Sequence, residues 1–540
     1  MVGIRSRRSL RRLAVAGTAL LYPYATLAGP VQHPGLSLPD SAAANKQAVV
    51  DIFTKSYEAY RSAAFGHDDL APISNTSVDS RNGWGASIVD ALSTMHVMGL
   101  NDYFTEGVNF ASKIDFSNSQ TPSTVSVFET TIRYLGGLLS AYELSGEQYP
   151  ALLTKAQQLA DKLAWAWVGT NDVPYGFLDF SSNTPSVSSS NIAEAGTLAL
   201  EWGTLSQHTG NSTYQNLAAK SLKHIANLGS PLPGLAAQGI DPTSGQPVGS
   251  YVTWGGGSDS YFEYLIKYAR LFPNEDSIYR DTWLTAVDSS IKTLLRTSTV
   301  GNHVYLADYD GSRIRHVSSH LACFHGGNWI FGGKLLNNDT IVQHALDLVD
   351  ACWNTYAGTV TGIGPEAFAF ISSDGNYTGS SGPSRGQQTE YQQNGFYTTT
   401  GYYILRPEVL ESNFYAWRAT GDTKYLDRAA SAIDSFNKYL RVGVAFAGIG
   451  DVTKTSSGYY DDMESFWFAE VLKYLYLTFD DPAKISLDEY IFNTEAHPFK
   501  LPSTPSFNSA AIRANKKSFT PVSDGPLPAV SGLTSLPQFV

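Results

Sequence analysis

The sequence predicts an all-α fold, an (α/α)7 barrel of inner and outer helices with short strands and loops at one end. Three observations indicate it. Helical segments recur in pairs joined by short polar turns, a tyrosine usually follows each turn, and the two helices of a pair differ in polarity. The turns that end at Tyr149, Tyr214 and Tyr279 are spaced 65 residues apart. A fixed period of this kind indicates stacked supersecondary units.

Each turn contains residues that end one helix and begin the next. Gly and Asn fit the C-terminal end of a helix, while Asp, Asn, Ser and Thr fit the N-cap of the helix that follows. The turns are GLNDY ending at Tyr103, LSGEQY at Tyr149, HTGNSTY at Tyr214, FPNEDSIY at Tyr279, LNNDTI at Ile341 and ATGDTKY at Tyr425.

Seven helical segments carry small and aromatic residues on most sides, as expected of buried inner helices. They begin at Ala86, Ser126, Asn191, Ser258, His320, Arg406 and Met463. Segments after the turns, such as YPALLTKAQQLADKLAWAW and YLDRAASAIDSFNKYL, carry charge on one face, which suits an outer layer. A helix from about Ala44 to Ala63 supplies the seventh outer partner.

We expect one domain over residues 44–502. A chain of 540 residues would usually suggest several domains, but no Pro/Gly/Ser linker divides the repeats. Residues 29–43 are interpreted as a loose N-terminal segment. Residues 503–540 are rich in Ser and Pro without periodicity, which is typical of a flexible tail.

Residues 1–28 are interpreted as a secretory signal peptide. Five arginines lie among the first 12 residues, Leu13 to Leu21 is apolar, and the small residues Thr26 and Ala28 place the cleavage site. The alternative is a Golgi-type membrane anchor, but the apolar run is shorter than the roughly 20 residues that span a bilayer. We therefore expect secretion, with the Golgi or ER lumen as the alternative, and no stable membrane association after cleavage.

The charge of the chain excludes some partners. Removal of the signal peptide would change the formal net charge from −12 to −17. An acidic surface repels nucleic acid and anionic membranes, so we expect a neutral ligand and no nucleic acid. We also expect a monomer.

Other features fit the secretory pathway. The two cysteines, Cys323 and Cys352, suggest a disulfide, with two buried thiols as the alternative. Four sequons are candidate N-glycosylation sites, at Asn75, Asn211, Asn338 and Asn376.

Three acidic residues, Glu129, Asp259 and Glu408, each stand near the start of an inner helix. A closed ring of helices would bring their carboxyl groups to one end, and carboxylates gathered in a cleft are required for hydrolysis of a glycosidic bond. The alternative is that these acids only complement the helix dipoles. The sequence contains no HExxH or CxxC pattern and no Gly-rich strand-to-helix motif. The aspartate pair at 68–69 and the pair at 461–462 are interpreted as caps and turns.

Eight segments, in order and with similar spacing, resemble glycoside hydrolase family 47, the class I α-1,2-mannosidases, of the secreted fungal type. The resemblance covers about residues 44–500. It implies an (α/α)7 barrel, a bound Ca²⁺ ion and inverting hydrolysis of α-1,2-linked mannose from high-mannose N-glycans. The segments are GHDDLAP at Gly66, GWGASIVDALSTM at Gly83, SVFETTIRYLGGLLSAY at Ser126, GGGSDSYFEYLIK at Gly255, HLACF at His320, LRPEVLES at Leu405, MESFWFAEVLKYLYLTF at Met463 and FNTEAHP at Phe492.

The resemblance also implies residue roles. Glu129 matches the general acid, Asp259 and Glu408 match the other essential carboxylates with Glu408 as the base, and Thr494 matches the calcium ligand. Some of the matching residues also have simpler interpretations: Arg133 as an ion-pair partner, Phe466 as core, His320 as a structural histidine. The residues implied in substrate binding are Arg133, Gly257, His320, Arg406, Glu411, Phe466, Glu470 and Glu495.

Gly257 bears on specificity. In this family, members that remove a single mannose tend to carry arginine at this position, so a glycine implies a wide cleft and trimming of Man9GlcNAc2 towards Man5GlcNAc2. Two competing hypotheses remain: a non-catalytic mannose-binding relative that escorts misfolded glycoproteins, and an (α/α)6 hydrolase with one hairpin fewer.

Overall fold

The structure is a computed structural model that describes residues 29–169 and 171–502. The predicted signal peptide, residues 1–28, and the predicted tail, residues 503–540, lie outside the described residues.

Seven inner helical segments form a closed ring. Each packs against its neighbours, and the last packs against the first. Two of them contain a π-helical turn, Thr131–Leu135 and Trp467–Val471. In chain order the inner segments are α2 (Ala86–Met98), α4 (Val127–Thr130) continuing through the first π-helical turn into α5 (Gly136–Leu144), α7 (Ile192–Gly196) with α8 (Ala199–Thr209), α10 (Asp259–Leu271), a 3₁₀ turn (Leu321–Cys323) with α12 (Phe324–Leu335), α15 (Glu408–Thr420), and the second π-helical turn with α17 (Leu472–Phe479).

Seven outer helices surround this ring, each packed on an inner partner. They are α1 (Ala42–Ala63), α3 (Asn101–Ala111), α6 (Pro150–Leu163), α9 (Ser212–Asn227), α11 (Ile278–Thr293), α13 (Asp339–Ala357) and α16 (Lys424–Tyr439). The predicted (α/α)7 barrel is therefore confirmed, and the six-hairpin alternative is wrong. An additional helix, α14 (Arg385–Asn394), was not predicted, and the outer segment predicted to reach Trp167 ends in a 3₁₀ turn (Ala164–Ala166).

The polarity of each layer explains its position. In α2 every residue except His96 is buried, as expected of a helix enclosed on all sides. Inner helices approach closely at glycines: a Cβ atom on Gly137 would lie 2.7 Å from the carbonyl oxygen of Val89. By contrast, α16 buries one stripe of residues, from Tyr425 to Phe436, and leaves the rest exposed or half-buried.

The polar turns end and begin helices as predicted. Gly210 and Gly421 follow α8 and α15 with φ of 69° and 73°, a conformation that favours glycine. Asn211 and Asn338 are the N-caps of α9 and α13, and their side-chain oxygens accept hydrogen bonds from backbone N–H groups. Pro150 occupies the first position of α6.

All strands are short and pair antiparallel. Strands β1 to β17 lie in the connections from an outer helix to the next inner helix, so they stand at the end of the barrel where the inner helices begin. The sheets are β1 (Asp69–Ala71) with β2 (Thr76–Val78); β3 (Val125–Ser126), β4 (Phe177–Asp179) and β5 (Thr184–Pro185); β6 (Ser190–Asn191), β7 (Gly239–Asp241) and β8 (Gln246–Val248); β9 (Leu295–Thr297) with β10 (Val304–Leu306); β11 (Asp308–Tyr309) with β12 (Ile314–Arg315); β13 (Val317–Ser319), β14 (Ala367–Ala369) and β15 (Tyr397–Thr400); β16 (Arg441–Val442) with β17 (Ala445–Phe446); and β18 (Tyr490–Phe492) with β19 (Pro498–Lys500).

The last hairpin, β18–β19, follows the C-terminal end of α17 and places its turn inside the barrel. The side-chain amide of Asn493 donates to the carbonyl oxygen of Ile132 at 2.9 Å and to Glu201 at 2.8 Å. Its oxygen accepts from the backbone N–H groups of Glu495 and His497. These bonds hold the turn in one conformation and present Thr494 to the interior.

The N-terminal segment differs from the prediction. Residues 29–43 were expected to be loose, but α1 begins at Ala42 and the residues before it contact the barrel. Val31 is fully buried, and its N–H donates to Asp488 at 2.7 Å. The lack of regular structure before α1 therefore does not mean a lack of tertiary contacts.

The predicted disulfide between Cys323 and Cys352 is present and joins the start of α12 to α13. Of the four sequon asparagines, Asn75, Asn211 and Asn376 are exposed and Asn338 is half-buried. Among the helices in the described ranges, none combines the length and apolar character that a bilayer crossing requires.

Candidate active site

The three predicted carboxylates meet in one cavity of about 470 Å³ at the end of the barrel where the inner helices begin. Thr494, from the turn of the β18–β19 hairpin, forms part of the wall of the same cavity. The cavity is also lined by most of the other predicted residues: Arg133, Gly257, Arg406, Glu411, Phe466, Glu470 and Glu495. His320 is the exception.

Each of the three carboxylates occupies the first turn of an inner helix. Asp259 and Glu408 are the first residues of α10 and α15. Glu129 lies three residues after the N-cap Ser126, whose hydroxyl accepts from its backbone N–H at 3.2 Å. The positive end of a helix dipole favours a negative charge at these positions.

Glu129 is held by two arginines. Its Oε2 lies 2.7 Å from Nε of Arg133 and 3.6 Å from Nε of Arg81. Burial alone would raise the pKa of Glu129, but the two guanidinium groups outweigh it and hold the pKa below its usual value. Without substrate, Glu129 is therefore ionised at neutral pH.

Arg133 connects Glu129 to the floor of the cavity. It also pairs with Glu495 and lies 3.6 Å from Asp90. Its guanidinium stands 5.6 Å from the centre of the Phe466 ring. Phe466 is thus part of the site rather than only of the core. Arg133 lies in one π-helical turn and Glu470 in the other, consistent with the frequent occurrence of such turns at functional sites.

Glu408 is supported from behind by His320. The Nδ1–H of His320 donates to Oε2 of Glu408 at 2.6 Å, and Nε2 lies 2.7 Å from the hydroxyl of Tyr356. The prediction that His320 contacts substrate is wrong, since its ring is 1% exposed and both nitrogens are occupied. Arg406 lies 3.7 Å from Glu408. Burial raises the pKa of Glu408, but His320 and Arg406 outweigh it, so the net pKa is lowered.

The pKa of Asp259 is shifted upwards, in the opposite direction to those of Glu129 and Glu408. Burial, together with repulsion from Glu263 and Glu408, raises its pKa to about 7, although the N–H of Ser260 donates to it at 2.8 Å. Asp259 therefore keeps a proton in a large fraction of molecules at neutral pH, while Glu129 and Glu408 are ionised.

The floor of the cavity carries more acidic than basic side chains. Burial raises the pKa of Glu411, Glu470 and Glu495 well above the usual value, and neighbouring carboxylates raise it further. Carboxylate, hydroxyl and carbonyl oxygens are the donors that Ca²⁺ prefers, and a divalent cation would relieve this repulsion. The residues therefore fit the implied ion.

The way in which a cation would be held is also restricted. In the described part of the chain no group of three or more His, Cys, Asp or Glu side chains is arranged to bind a metal directly. Thr494 and water molecules ordered by the surrounding carboxylates would have to supply the ligands.

Sequence reasoning missed several groups that support the site. Glu263 lines the cavity, one helical turn after Asp259, and pairs with the buried Lys267; the i,i+4 spacing could have identified it. Glu366 also lines the cavity and binds Arg406 through two bonds of 2.6 and 2.7 Å. No local spacing links those two residues.

The two aspartates of the pair at 68–69 have different roles. Asp68 accepts hydrogen bonds from the backbone N–H groups of Arg81, Gly83, Gly85 and Ala86, the last at the start of α2. It is therefore a cap, as predicted. Asp69 is buried, and burial with repulsion from a nearby glutamate raises its pKa to about 8.

Comparison with known sequences shows one family along the chain. The sequence model of glycosyl hydrolase family 47 matches residues 52–501. Mannosyl-oligosaccharide alpha-1,2-mannosidase 1B of Aspergillus phoenicis is 40% identical over 518 residues, covering 92% of this chain and 98% of that protein. Mannosyl-oligosaccharide alpha-1,2-mannosidase of Coccidioides posadasii is 40% identical over 518 residues, covering 91% and 98%.

A solved structure supports the same relationship. The alpha-1,2-mannosidase from Trichoderma reesei superimposes with a TM-score of 0.82 at 39% sequence identity. The match covers 87% of this chain and 100% of that one.

Proposed function

Because this chain belongs to glycosyl hydrolase family 47 and is a glycosidase, we propose that it is a calcium-dependent, inverting exo-α-1,2-mannosidase. Its substrate is the terminal α-1,2-linked mannose of high-mannose N-glycans, removed from Man9GlcNAc2 towards Man5GlcNAc2. The observation that carries this proposal is the convergence of Glu129, Asp259 and Glu408 on a cavity that also contains Thr494.

The cavity supports removal of a terminal sugar. A volume of about 470 Å³ is closed below by the β18–β19 turn, so a chain end can enter but a continuous glycan cannot pass through. Phe466 offers an apolar ring on one wall, and the carboxylates and arginines offer hydrogen-bond partners for hydroxyl groups. Thr494 would hold Ca²⁺, which when bound would supply a positive charge and coordination positions for hydroxyl groups of the sugar.

Glu408 is suited to act as the base. An inverting hydrolysis requires one carboxylate that accepts a proton from the attacking water and one carboxylic acid that protonates the leaving oxygen. His320 and Arg406 keep Glu408 ionised, and the His320–Tyr356 pair fixes the direction of its carboxylate. Glu408 can therefore orient a water molecule and remove its proton.

Two residues, Glu129 and Asp259, are candidates for the general acid. The resemblance assigns this role to Glu129, but Glu129 is ionised between Arg133 and Arg81 and would first need to gain a proton. The pKa of Asp259 is about 7, so Asp259 already carries a transferable proton. We infer that Asp259 supplies the proton, directly or through water, and that Glu129 fixes Arg133 and the leaving group.

The pH dependence of the variants separates these roles. In wild-type enzyme kcat/KM is expected to fall above about pH 7 as Asp259 loses its proton. Asp259→Asn should lose about 10²–10⁴-fold in kcat and remove this alkaline decline, whereas Glu129→Gln should retain it. An alkaline decline that survives in Asp259→Asn but disappears in Glu129→Gln would assign the acid to Glu129.

Gly257 provides a prediction for product range. Its φ is +85°, and a Cβ atom would lie 2.9 Å from the side-chain nitrogen of Gln238. Gly257→Arg adds both this strain and a long side chain at the cavity wall, whereas Gly257→Ala adds only the strain. Chromatography of the products should show that the arginine variant stops after fewer mannoses, while the alanine variant is slower but reaches Man5GlcNAc2. If both reach the same end product, Gly257 does not set cleft width.

Incubation with Man9GlcNAc2 tests the function as a whole. Release of mannose with progressive shortening of the glycan is the expected result, whereas binding without release would favour the escort hypothesis. We further propose that the protein acts in the secretory pathway and is secreted as a monomer. It would carry N-glycans, because its four sequon asparagines lie at exposed or half-buried positions.

A further inference from the structure

The segment before α1 crosses the end of the barrel opposite the active site. The N–H of His33 donates to the carbonyl oxygen of Arg418 near the end of α15, at 2.7 Å. The side chain of Gln32 donates to the carbonyl oxygen of Pro482, after α17, at 3.0 Å and accepts from the guanidinium of Arg418 at 2.9 Å. These residues therefore connect the C-terminal ends of neighbouring inner helices.

Gly29 begins this segment at the C-terminal end of α12. It is buried, and its backbone nitrogen donates to the carbonyl oxygen of Leu335, the last residue of α12, at 3.1 Å. A Cβ atom on Gly29 would lie 2.4 Å from the side-chain oxygen of Asn337 and 2.6 Å from the carbonyl oxygen of Lys334. Two oxygen atoms therefore lie where a side chain would begin, and only glycine fits.

This environment suits a positive charge. The carbonyl oxygens of Gly332, Gly333 and Lys334 accept from the N–H groups of the three residues that follow α12, whereas that of Leu335 accepts from Gly29. The C-terminal end of the helix dipole is negative. A peptide N–H at Gly29 offers one hydrogen, which Leu335 accepts. An ammonium group at the same nitrogen would offer three hydrogens and a full charge.

We propose that the α-ammonium group of Gly29, which cleavage at the predicted signal-peptide site after Ala28 would create, binds to the C-terminal end of α12; this inference rests on the proposed passage through the secretory pathway. A peptidase of the secretory pathway would hydrolyse this peptide bond with one water molecule, leaving a carboxylate on Ala28 and the ammonium on Gly29. The small residues Thr26 and Ala28 meet the sequence preference for such cleavage. The mature N-terminus is then a structural element that fastens three inner helices.

The first test is made on the full-length protein secreted by a eukaryotic host. Mass spectrometry of its N-terminal peptide should show Gly29 as the first residue. An amine-reactive reagent should then label the α-amino group at least about 10-fold more slowly in native protein than in urea-unfolded protein, with exposed lysines as the internal control. Cleavage at another bond, or labelling of Gly29 at the unfolded rate, would overturn the proposal.

The second test separates the effect of the ammonium charge from that of the hydrogen bond to Leu335. A mature chain with one additional alanine before Gly29 keeps the N–H that Leu335 accepts but moves the ammonium away. Its melting temperature should be lower by about 1–2 °C than that of the chain that begins at Gly29. Asn337→Gly, which keeps the left-handed conformation of that residue (φ 51°), should speed the labelling of Gly29. Equal melting temperatures and unchanged labelling would show that the ammonium is not bound.

Discussion

Replacement of Glu408 by Gln is expected to lower kcat by about 10²–10⁴-fold without unfolding the barrel. The amide keeps the size of the side chain but cannot accept a proton from water. His320, which donates to Glu408 at 2.6 Å, can still donate to the amide oxygen, so the surrounding hydrogen bonds survive. Steady-state kinetics on Man9GlcNAc2 and a melting curve would measure the two effects separately.

Glu489→Gln is a matched control, because Glu489 is an exposed glutamate remote from the cavity. It should retain wild-type kcat. A sharper version uses Glu408→Ala with azide, which should occupy the position of the attacking water and give a mannosyl azide of inverted configuration. Full activity of Glu408→Gln would exclude Glu408 as the base.

Removal of calcium is expected to abolish mannose release. Burial raises the pKa of Glu411, Glu470 and Glu495 on the cavity floor, and repulsion from neighbouring carboxylates raises it further. A bound cation would favour the ionised form of these groups. Addition of Ca²⁺ to chelated protein should therefore raise the melting temperature as well as restore activity. At a concentration 100-fold above Kd, binding stabilises a folded protein by about 2.7 kcal/mol.

Thr494→Val tests the site of the ion, since it removes one oxygen and keeps the shape of the side chain. Calorimetry should show Ca²⁺ affinity lowered by about 10-fold or more, because a hard cation loses an oxygen ligand. Thr184→Val, at an exposed position of β5, is the control and should bind Ca²⁺ as wild type does. Undiminished activity in chelator, with no heat of Ca²⁺ binding, would show that the enzyme does not require Ca²⁺.

The fold could be predicted because the repeat is local. Polar turns, caps such as Asn211 and Asn338, and the contrast between apolar and one-sided helices all lie within windows of about 20 residues. The position of the β18–β19 turn inside the barrel and the hydrogen bond between Val31 and Asp488 could not be predicted in this way. They depend on contacts between residues hundreds of positions apart, for which periodicity contains no information.

The contacts in the candidate site likewise divide into local ones, which the sequence predicts, and long-range ones, which it does not. Glu129 with Arg133, and Asp259 with Glu263, stand one helical turn apart, so their proximity follows from the helix alone. The pairing of Glu366 with Arg406 depends on how β14 and the start of α15 meet. His320 was placed at the correct site but in the wrong role, because only the structure shows both of its ring nitrogens occupied by Glu408 and Tyr356.

The configuration of the mannose first released from Man9GlcNAc2 tests the central claim most directly. Proton NMR during the first minutes, before the anomers equilibrate, distinguishes α- from β-mannose. A base at Glu408 that directs water to the face opposite the leaving group predicts β-mannose as the initial product. Initial α-mannose, or no mannose from calcium-loaded protein, would contradict the assignment of these carboxylates.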